Sequence, residues 1–219
     1  MIIPSNTAIT NLPKAVFFDL DGVLVDACDW HYEALNSALL ENGHPPICKE
    51  DHISTYNGLP TFVKLKMLGM TTEDSLIINQ RKQHHTLATI KKFAHTMTEK
   101  IELLSYLKQN NVLIACVTNS IRETATEMLN TTGQLQFFDL LVSNEDVARN
   151  KPYPDCYIHA MEKLKINPNE IVCVEDSDKG VEAVLSSGAK YLWRVKNSTE
   201  VVLENFRRFV YENFNSDGG

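Results

Sequence analysis

The sequence has no long hydrophobic run, no Cys-x-x-Cys pair and no excess of basic residues. Its continuous apolar stretches are far shorter than the roughly 20 residues that cross a bilayer. Residues 1–14, MIIPSNTAITNLPK, lack the basic region followed by an apolar region that marks a secretory leader. These absences predict a protein that is cytoplasmic and has no membrane partner.

The net charge and the cysteines limit further which partners and which cellular compartment the sequence predicts. The formal net charge is −7, which argues against nucleic acid or an anionic membrane as a partner, because both select Lys and Arg. The five cysteines are scattered, and two lie inside apolar runs, which is typical of small buried residues in a reducing compartment. They are Cys28, Cys48, Cys116, Cys156 and Cys173.

Apolar residues make up 43% of the chain, and they are concentrated in five short runs. The runs are continuously apolar rather than alternating, which is typical of parallel strands covered on both faces. Helical patterns that end near glycine lie between them, so the sequence predicts an α/β fold. The runs are AVFF (15–18), VLIACV (112–117), LLV (140–142), IVCV (171–174) and YLWRV (191–195), and the helical patterns cover 30–43, 97–109, 120–133, 153–164 and 176–188.

About ninety residues separate the first two runs, far more than one crossover helix needs. We therefore expect an insert at residues 28–95, helical throughout, with residues 1–27 and 96–219 forming the core domain. The insert holds six of the seven histidines and seven basic against seven acidic residues, so the whole negative charge belongs to the core.

Two aspartates directly follow the first apolar run, in the stretch FFDLDGVLVD. Ligands of open parallel sheets bind beyond the carboxyl ends of the strands, where Asp19 and Asp21 would lie. Gly22 permits a sharp turn there. Two carboxylates this close repel each other unless a cation lies between them, and oxygen ligands suit Mg²⁺. Taken alone, these aspartates, and Asp26 after them, would favour an interpretation as turn and helix-cap residues, which Asp often is.

Three further apolar runs also end in polar residues. Thr118, Asn119 and Ser120 follow the second run, Lys151 follows the third, and Glu175-Asp176 follows the fourth. Thr118 could instead cap a helix, Lys151 could be a solvated loop residue, and the acidic pair could lie in a first helical turn. Those alternatives do not account for four polar strand ends in one order.

The ordered set DLDGVLVD, TNS, NKP and VEDSDKG resembles the four motifs of the haloacid dehalogenase superfamily of phosphotransferases. The resemblance covers residues 14–195. The insert is similar to the helical cap domain of the β-phosphoglucomutase and phosphoglycolate phosphatase branch. This resemblance implies a Rossmann-like, doubly wound parallel sheet with an inserted α-helical cap. The dehalogenases themselves lack the acid at the position of Asp21, so phosphorus is the expected target.

The resemblance also implies roles for the strand-end residues. Asp19 would be the nucleophile that becomes an aspartyl phosphate, and Asp21 the general acid and base. Thr118, Asn119 and Ser120 would bind phosphoryl oxygens, and Lys151 would neutralise their charge. Mg²⁺ would be held by Asp19, Asp21 through its backbone carbonyl, Asp176 and Glu175. Asp26 is expected to be structural.

Within the insert, the resemblance implies substrate contacts by His31 and by the loop at Gly58. For His31, an ordinary position on a helix face is an equal alternative. The loop GLPT, residues 58–61, lacks the arginine that holds a second phosphate in β-phosphoglucomutase-like proteins, although Lys64 and Lys66 follow closely. This difference favours water over a second hydroxyl as the phosphoryl acceptor.

The expected function is therefore a Mg²⁺-dependent phosphatase that acts on a small phosphorylated metabolite such as a sugar phosphate. The alternatives are a β-phosphoglucomutase-like phosphomutase and a catalytically silent member that serves as a binding module. The expected assembly is a monomer or a weak homodimer.

Overall fold

A computed structural model of the chain describes residues 11–214 and shows a five-stranded parallel sheet in the order β3-β2-β1-β4-β5. The strands are β1 (Ala15–Phe18), β2 (Leu113–Val117), β3 (Leu140–Val142), β4 (Ile171–Glu175) and β5 (Tyr191–Arg194). The predicted α/β class with a parallel sheet is confirmed. The prediction about a secretory leader and the outer ends of the predicted core domain fall partly on residues 1–10 and 215–219, which lie outside the described residues.

Helices cover both faces of the sheet. Successive residues of a strand point to opposite faces, so each packs against the helices on its own side. On one face, Val16 and Phe18 pack with α5 (Thr98–Gln109), α6 (Arg122–Thr131) and α9 (Leu203–Phe214). On the other face, Ala15 and Phe17 pack with α7 (Asp155–Leu164) and α8 (Asp178–Ser186). All four residues of β1 are fully buried, which explains why the strand is continuously apolar.

The insert between β1 and α5 is built from helices only. These are α1 (Cys28–Glu41), α2 (Lys49–Asp51), which continues as one π-helical turn (His52–Tyr56), α3 (Thr61–Met67) and α4 (Thr72–Phe93). Residues 28–95, all of which the structure describes, contain no strand. We call them the helical insert. Leu35, Leu39, Leu65 and Ile78 form the centre of its own small core.

The predicted elements agree with the observed ones except at their ends. All five apolar runs are strands, and the five helical patterns correspond to α1, α5, α6, α7 and α8. The sixth helix begins at Arg122 with Ile121 as its N-cap, not at Ser120 as the pattern indicated. Among residues 11–214, no helix combines the length and hydrophobicity that a membrane crossing requires.

Candidate active site

Lys151 lies at the centre of the site and joins three strand ends. Its buried ammonium donates to Asp19 Oδ1 at 2.7 Å, to Glu175 Oε1 at 2.5 Å and to the Val117 carbonyl at 2.7 Å. Burial alone would lower the pKa of Lys151, but the charges of Asp19 and Glu175 raise it above its ordinary value. The ammonium therefore stays charged and holds the carboxylates of β1 and β4 at fixed positions.

Asn119 ties the loop that carries Lys151 to the end of β2. Its Oδ1 accepts from the Lys151 backbone N–H at 3.0 Å, and its Nδ2 donates to the Lys151 carbonyl at 3.2 Å. The same Nδ2 donates to the Gly58 carbonyl at 2.9 Å, so a loop of the helical insert reaches the strand ends. One amide thus positions the catalytic candidate Lys151 and anchors the insert above it.

Asp19, Glu175 and Asp176 form an acidic cluster in which one oxygen from each lies within 4.8 Å of the other two. Glu175 is fully buried, and the Tyr157 hydroxyl donates to its Oε1 at 2.6 Å. The Asp176 Oδ1 is buried and has no hydrogen-bond partner among residues 11–214. Burial and the charge of Glu175 raise the pKa of Asp176 to about 6. The cluster is therefore short of positive charge and rich in free carboxylate oxygen.

Two glycines allow the chain to close around these carboxylates. A Cβ atom at Gly22, where φ is +85°, would lie 2.1 Å from Asp176 Oδ2. A Cβ atom at Gly180 would lie 2.0 Å from the Glu175 carboxylate. No side chain fits at such distances, so the glycines are a steric requirement of the site.

Asp21 faces the helical insert, with both carboxylate oxygens hydrogen-bonded. Its Oδ1 is 2.9 Å from His31 Nε2, and its Oδ2 accepts from Ser120 Oγ at 2.9 Å. Burial would raise the pKa of Asp21, but the interaction with His31 and the hydrogen bond from Ser120 hold it below its ordinary value. The arrangement therefore favours an ionised carboxylate.

His31 is in turn oriented by Lys82 of α4, whose ammonium is 3.2 Å from His31 Nδ1. Burial, and then the charge of Lys82, lower the pKa of His31. An ammonium group can only donate, so His31 Nδ1 accepts from it and Nε2 carries the proton that is donated to Asp21. Lys82 therefore donates a hydrogen bond to His31, and His31 donates one to Asp21.

Thr118 is buried at the end of β2 and is not a helix cap. Its Oγ1 accepts from the Ser120 backbone N–H at 3.0 Å, which turns the chain so that Ser120 Oγ faces Asp21. The acidic pair also lies outside a first helical turn, because Glu175 ends β4 and Ser177 is the N-cap of α8.

Two cavities adjoin these groups. The smaller, about 40 Å³, is lined by Asp19, Asp21, Thr118, Asn119, Lys151 and Asp176 together with Gly58, Lys179 and two neighbours. The larger, about 520 Å³, lies between core and insert and includes Asp21, His31, Gly58, Lys64, Lys82 and Ser120 in its wall. The structure thus brings together every residue that the motifs indicated. Asp26 is exposed and lines neither cavity.

Several residues of the site could not be recognised from the sequence. Lys82 lies 51 positions from His31 in a polar part of α4, and Tyr157 occupies the apolar face of α7, where a core role is the ordinary expectation. Lys179 donates to the Asn57 carbonyl at 2.9 Å and forms a second tie to the insert. Nothing in their local patterns distinguishes these side chains from structural ones.

Comparison with known proteins agrees with this geometry. The chain is 30% identical over 190 residues to a phosphorylated carbohydrates phosphatase of Thermotoga maritima, a match that covers 84% of this chain and 86% of that protein. It is 28% identical to phosphoglycolate phosphatase 1 of Pseudomonas aeruginosa, over 83% of this chain and 69% of that one.

Solved structures share the fold. A β-phosphoglucomutase from Clostridium difficile superimposes with a TM-score of 0.77 at 21% identity, covering 93% of this chain and 100% of that chain. CbbY from Rhodobacter sphaeroides, solved with phosphate, gives 0.77 at 19% identity, covering 84% and 87%. The model of the haloacid dehalogenase-like hydrolase family matches residues 16–194. This match covers most of the chain and every strand-end motif, and the protein therefore belongs to the haloacid dehalogenase-like hydrolase family.

Proposed function

We propose that the protein is a Mg²⁺-dependent phosphatase that hydrolyses a small phosphomonoester, such as a sugar phosphate, through an aspartyl phosphate at Asp19. The observation that carries the proposal is the buried Lys151 ammonium, which links Asp19 to Glu175 beside Asp176, whose Oδ1 has no partner among the described residues. Catalysis of phosphoryl transfer depends mainly on such positioning and charge stabilisation. The names of the relatives, which are phosphatases, favour the same reaction.

The acidic cluster fits a magnesium ion. Its donors are carboxylate oxygens, and the unpartnered Asp176 Oδ1 together with the raised pKa of Asp176 indicates a missing positive charge. Asp19, Asp176 and the backbone carbonyl of Asp21 would hold the ion, with Glu175 near it. When bound, Mg²⁺ would neutralise negative charge on the phosphoryl group.

In the first step, a carboxylate oxygen of Asp19 attacks phosphorus while the bond to the leaving alkoxide breaks. Lys151 holds Asp19 Oδ1, which leaves the other oxygen for the attack. Thr118 and the Asn119 backbone N–H bind phosphoryl oxygens. The protonated form of Asp21 gives its proton to the alkoxide, so the alcohol leaves neutral and Asp21 is left ionised for the second step.

In the second step, water attacks the aspartyl phosphate and Asp21 accepts its proton. The Asp19 carboxylate is released with inorganic phosphate. The hydrogen bonds that Asp21 accepts from His31 and Ser120 suit this step, because they favour the ionised carboxylate. The insert thus supplies a group that prepares Asp21 to act as the base.

We also propose that residues 1–27 and 96–219 act as the core domain and residues 28–95 as a cap that excludes water. Three contacts support this division. His31 reaches Asp21, Asn119 reaches Gly58, and Lys179 reaches Asn57, so the insert is held over the strand ends by bonds that an opening motion would break.

A mutase is the second candidate, favoured by the shared fold of the Clostridium difficile enzyme. The residue that would distinguish it, an arginine in the loop Gly58–Thr61, is absent from this chain. Water is therefore the proposed acceptor.

The test is hydrolysis of a phosphomonoester panel with Mg²⁺, comparing wild type, Asp19→Asn and the matched control Asp26→Asn. Asp19→Asn should lose on the order of 1,000-fold or more in kcat, because no nucleophile remains. Asp26→Asn removes an exposed carboxylate from the same loop and should keep kcat within about threefold. Unchanged phosphate release by Asp19→Asn would overturn the proposal, and isomer without free phosphate would establish the mutase.

A further inference from the structure

We infer that the substrate carries a second anionic group, a carboxylate or a second phosphate, and that the Lys64 ammonium binds this group in the larger cavity. The inference rests on the proposed function and specifies its substrate class.

Lys64 is a buried cation without a partner among the described residues. It is 6% exposed, and its ammonium makes no hydrogen bond or ion pair with residues 11–214. Buried charges are ordinarily paired, as Lys151 is with two carboxylates in the same protein. Burial lowers the pKa of Lys64 to about 8, and the approach of Asp21 offsets this effect only in part. The side chain therefore lies in a place that lacks a negative charge.

The missing charge has space to bind in the larger cavity, which Lys64 lines. A second buried ammonium, that of Lys82, lies in the same wall and is also 6% exposed. Asp21 is engaged by His31 and Ser120, and Glu145 lies at the exposed end, where it accepts from the Arg122 backbone N–H. The interior of the cavity therefore has two ammonium groups and one carboxylate that is already hydrogen-bonded.

The position of the cavity matches the far end of a phosphomonoester. Asp21, the proposed proton donor to the leaving group, lines both cavities, so a phosphoryl group in the smaller one directs its leaving group into the larger one. Its volume of about 520 Å³ accommodates a leaving group the size of a sugar. The buried Asn150 Oδ1 has no partner among the described residues and lies in the same wall, where it can accept from a hydroxyl.

The helix α3 offers a matched control. Lys64 is buried, whereas Lys66 two positions later is exposed. Lys64→Met and Lys66→Met each remove one positive charge from the same helix and keep a long unbranched side chain. Only the first should affect recognition of an anion in the cavity.

The experiment measures kcat/KM for pairs of phosphomonoesters that differ in the second charge. Two carboxylate pairs are 3-phosphoglycerate with glycerol 3-phosphate, and 6-phosphogluconate with glucitol 6-phosphate. The pair for a second phosphate is fructose 1,6-bisphosphate with fructose 6-phosphate. In at least one pair, the wild type should favour the more anionic member by 10-fold or more. The pair that shows this preference identifies the second anion as carboxylate or phosphate.

Lys64→Met should reduce that preference by at least 10-fold and leave kcat/KM for the less anionic member within threefold, which also shows that the variant is folded. Lys66→Met should match the wild type on both. Equal wild-type rates within every pair, or an equal loss by Lys64→Met on both members, would overturn the inference while hydrolysis itself upholds the proposed function. No hydrolysis of any of the six compounds would instead overturn the proposed function and this inference with it.

Discussion

Lys151 binds two carboxylates and Lys64 binds none in the part of the chain that the structure describes, although both ammonium groups are buried. In Lys151 the positive charge is balanced within the protein and serves to hold Asp19 and Glu175. In Lys64 the balance is left to a ligand. A buried charge that is paired within the protein therefore helps to build the site, whereas a buried charge that the protein leaves unpaired serves to recognise a ligand.

Gly180→Ala tests how tightly the Glu175 carboxylate is held. Alanine in place of glycine inside a helix ordinarily stabilises by about 0.5–1 kcal/mol. Here the new Cβ would lie 2.0 Å from a carboxylate that Lys151 and Tyr157 bind, so we expect displacement of Glu175 and Lys151. We predict a loss of about 2 kcal/mol in unfolding free energy by urea titration and on the order of 100-fold in kcat.

Glu182→Ala provides the control for Gly180→Ala, because it changes an exposed side chain of the same helix and should leave both quantities nearly unaffected. A Gly180→Ala protein that is more stable than the wild type and equally active would contradict the packing described for Glu175.

The pH dependence of kcat/KM should report the protonation of Lys82. Burial, and then the charge of Lys64, lower the pKa of Lys82 to about 7. Below that pH the ammonium donates to His31 and fixes the tautomer that donates to Asp21. Above it the ammonium is lost, so kcat/KM should fall as pH rises through 7 to 8.

Lys82→Gln should have lower activity that no longer depends on pH between 6 and 9. A wild-type kcat/KM that stays constant over this range would show that Lys82 does not orient His31.

The strand-end residues were predictable because short motifs after apolar runs specify where carboxyl ends of parallel strands lie. Asp19, Lys151 and Asp176 are found in this way. Lys82 and Tyr157 were not, since their contacts with His31 and Glu175 depend on how α4 and α7 pack, and no local pattern encodes that packing. Lys64 stood out in the sequence only as a charge, and its burial became evident from the fold.

At the level of secondary structure elements, the sheet was the most predictable part. The run at residues 15–18 matches β1, because a strand buried on both faces must be apolar throughout. The run at 140–142 matches β3, which is only partly buried. Helix starts were less certain. Ser120 is a good N-cap residue, but its hydroxyl donates to Asp21 and the helix begins two residues later. Local propensity would make this side chain a helix cap, but in the structure its hydroxyl serves the active site.

The π-helical turn of the insert carries a histidine that should make the fold sensitive to acid. His52 is 1% exposed, and neither ring nitrogen makes a well-formed hydrogen bond with the described residues. Burial, and then the charge of Lys64, lower the pKa of His52 to about 4. The unfolded chain thus binds a proton that the folded chain does not, so stability is full above pH 6.5 and is lost as pH falls towards 4.

Between pH 7 and pH 5, His52 should account for a loss of about 2 kcal/mol in unfolding free energy. In His52→Leu, urea titrations at the two pH values should show a loss smaller by this amount than in the wild type. His84→Leu, which replaces an exposed histidine of the same insert, should behave like the wild type. Equal acid sensitivity of His52→Leu and wild type would show that His52 is not the group that titrates.

In the whole molecule, the site follows from the topology of the sheet. Chain order runs outward from β1 in both directions, through β2 and β3 on one side and β4 and β5 on the other. The loops after β1, β2 and β4 therefore diverge above one crevice, where parallel sheets bind ligands. The helical insert begins shortly after the end of β1, so it lies directly over this crevice.

Cation binding should stabilise the whole molecule, because the acidic cluster joins the ends of β1 and β4. Asp19 and Glu175, for example, are 156 positions apart in the sequence. A ligand that binds only the folded state at about 100 times its dissociation constant adds about 2.7 kcal/mol. For a chain of this size, this corresponds to a rise in Tm of roughly 5–10 °C. We predict such a rise when Mg²⁺ is added to the chelator-treated protein.

Asp176→Asn should abolish most of that rise and leave the metal-free protein at least as stable as the metal-free wild type. The reason is that burial, and then repulsion by Glu175, raise the pKa of Asp176, and a neutral amide avoids both penalties. Asp26→Asn, with the same change of charge at an exposed position, should keep the full rise. Calorimetry with and without Mg²⁺ measures both effects independently of any substrate. Equal shifts in wild type and Asp176→Asn would place the cation elsewhere, whereas a shift that depends on Asp176 ties the ion to the carboxylates that Lys151 leaves unneutralised.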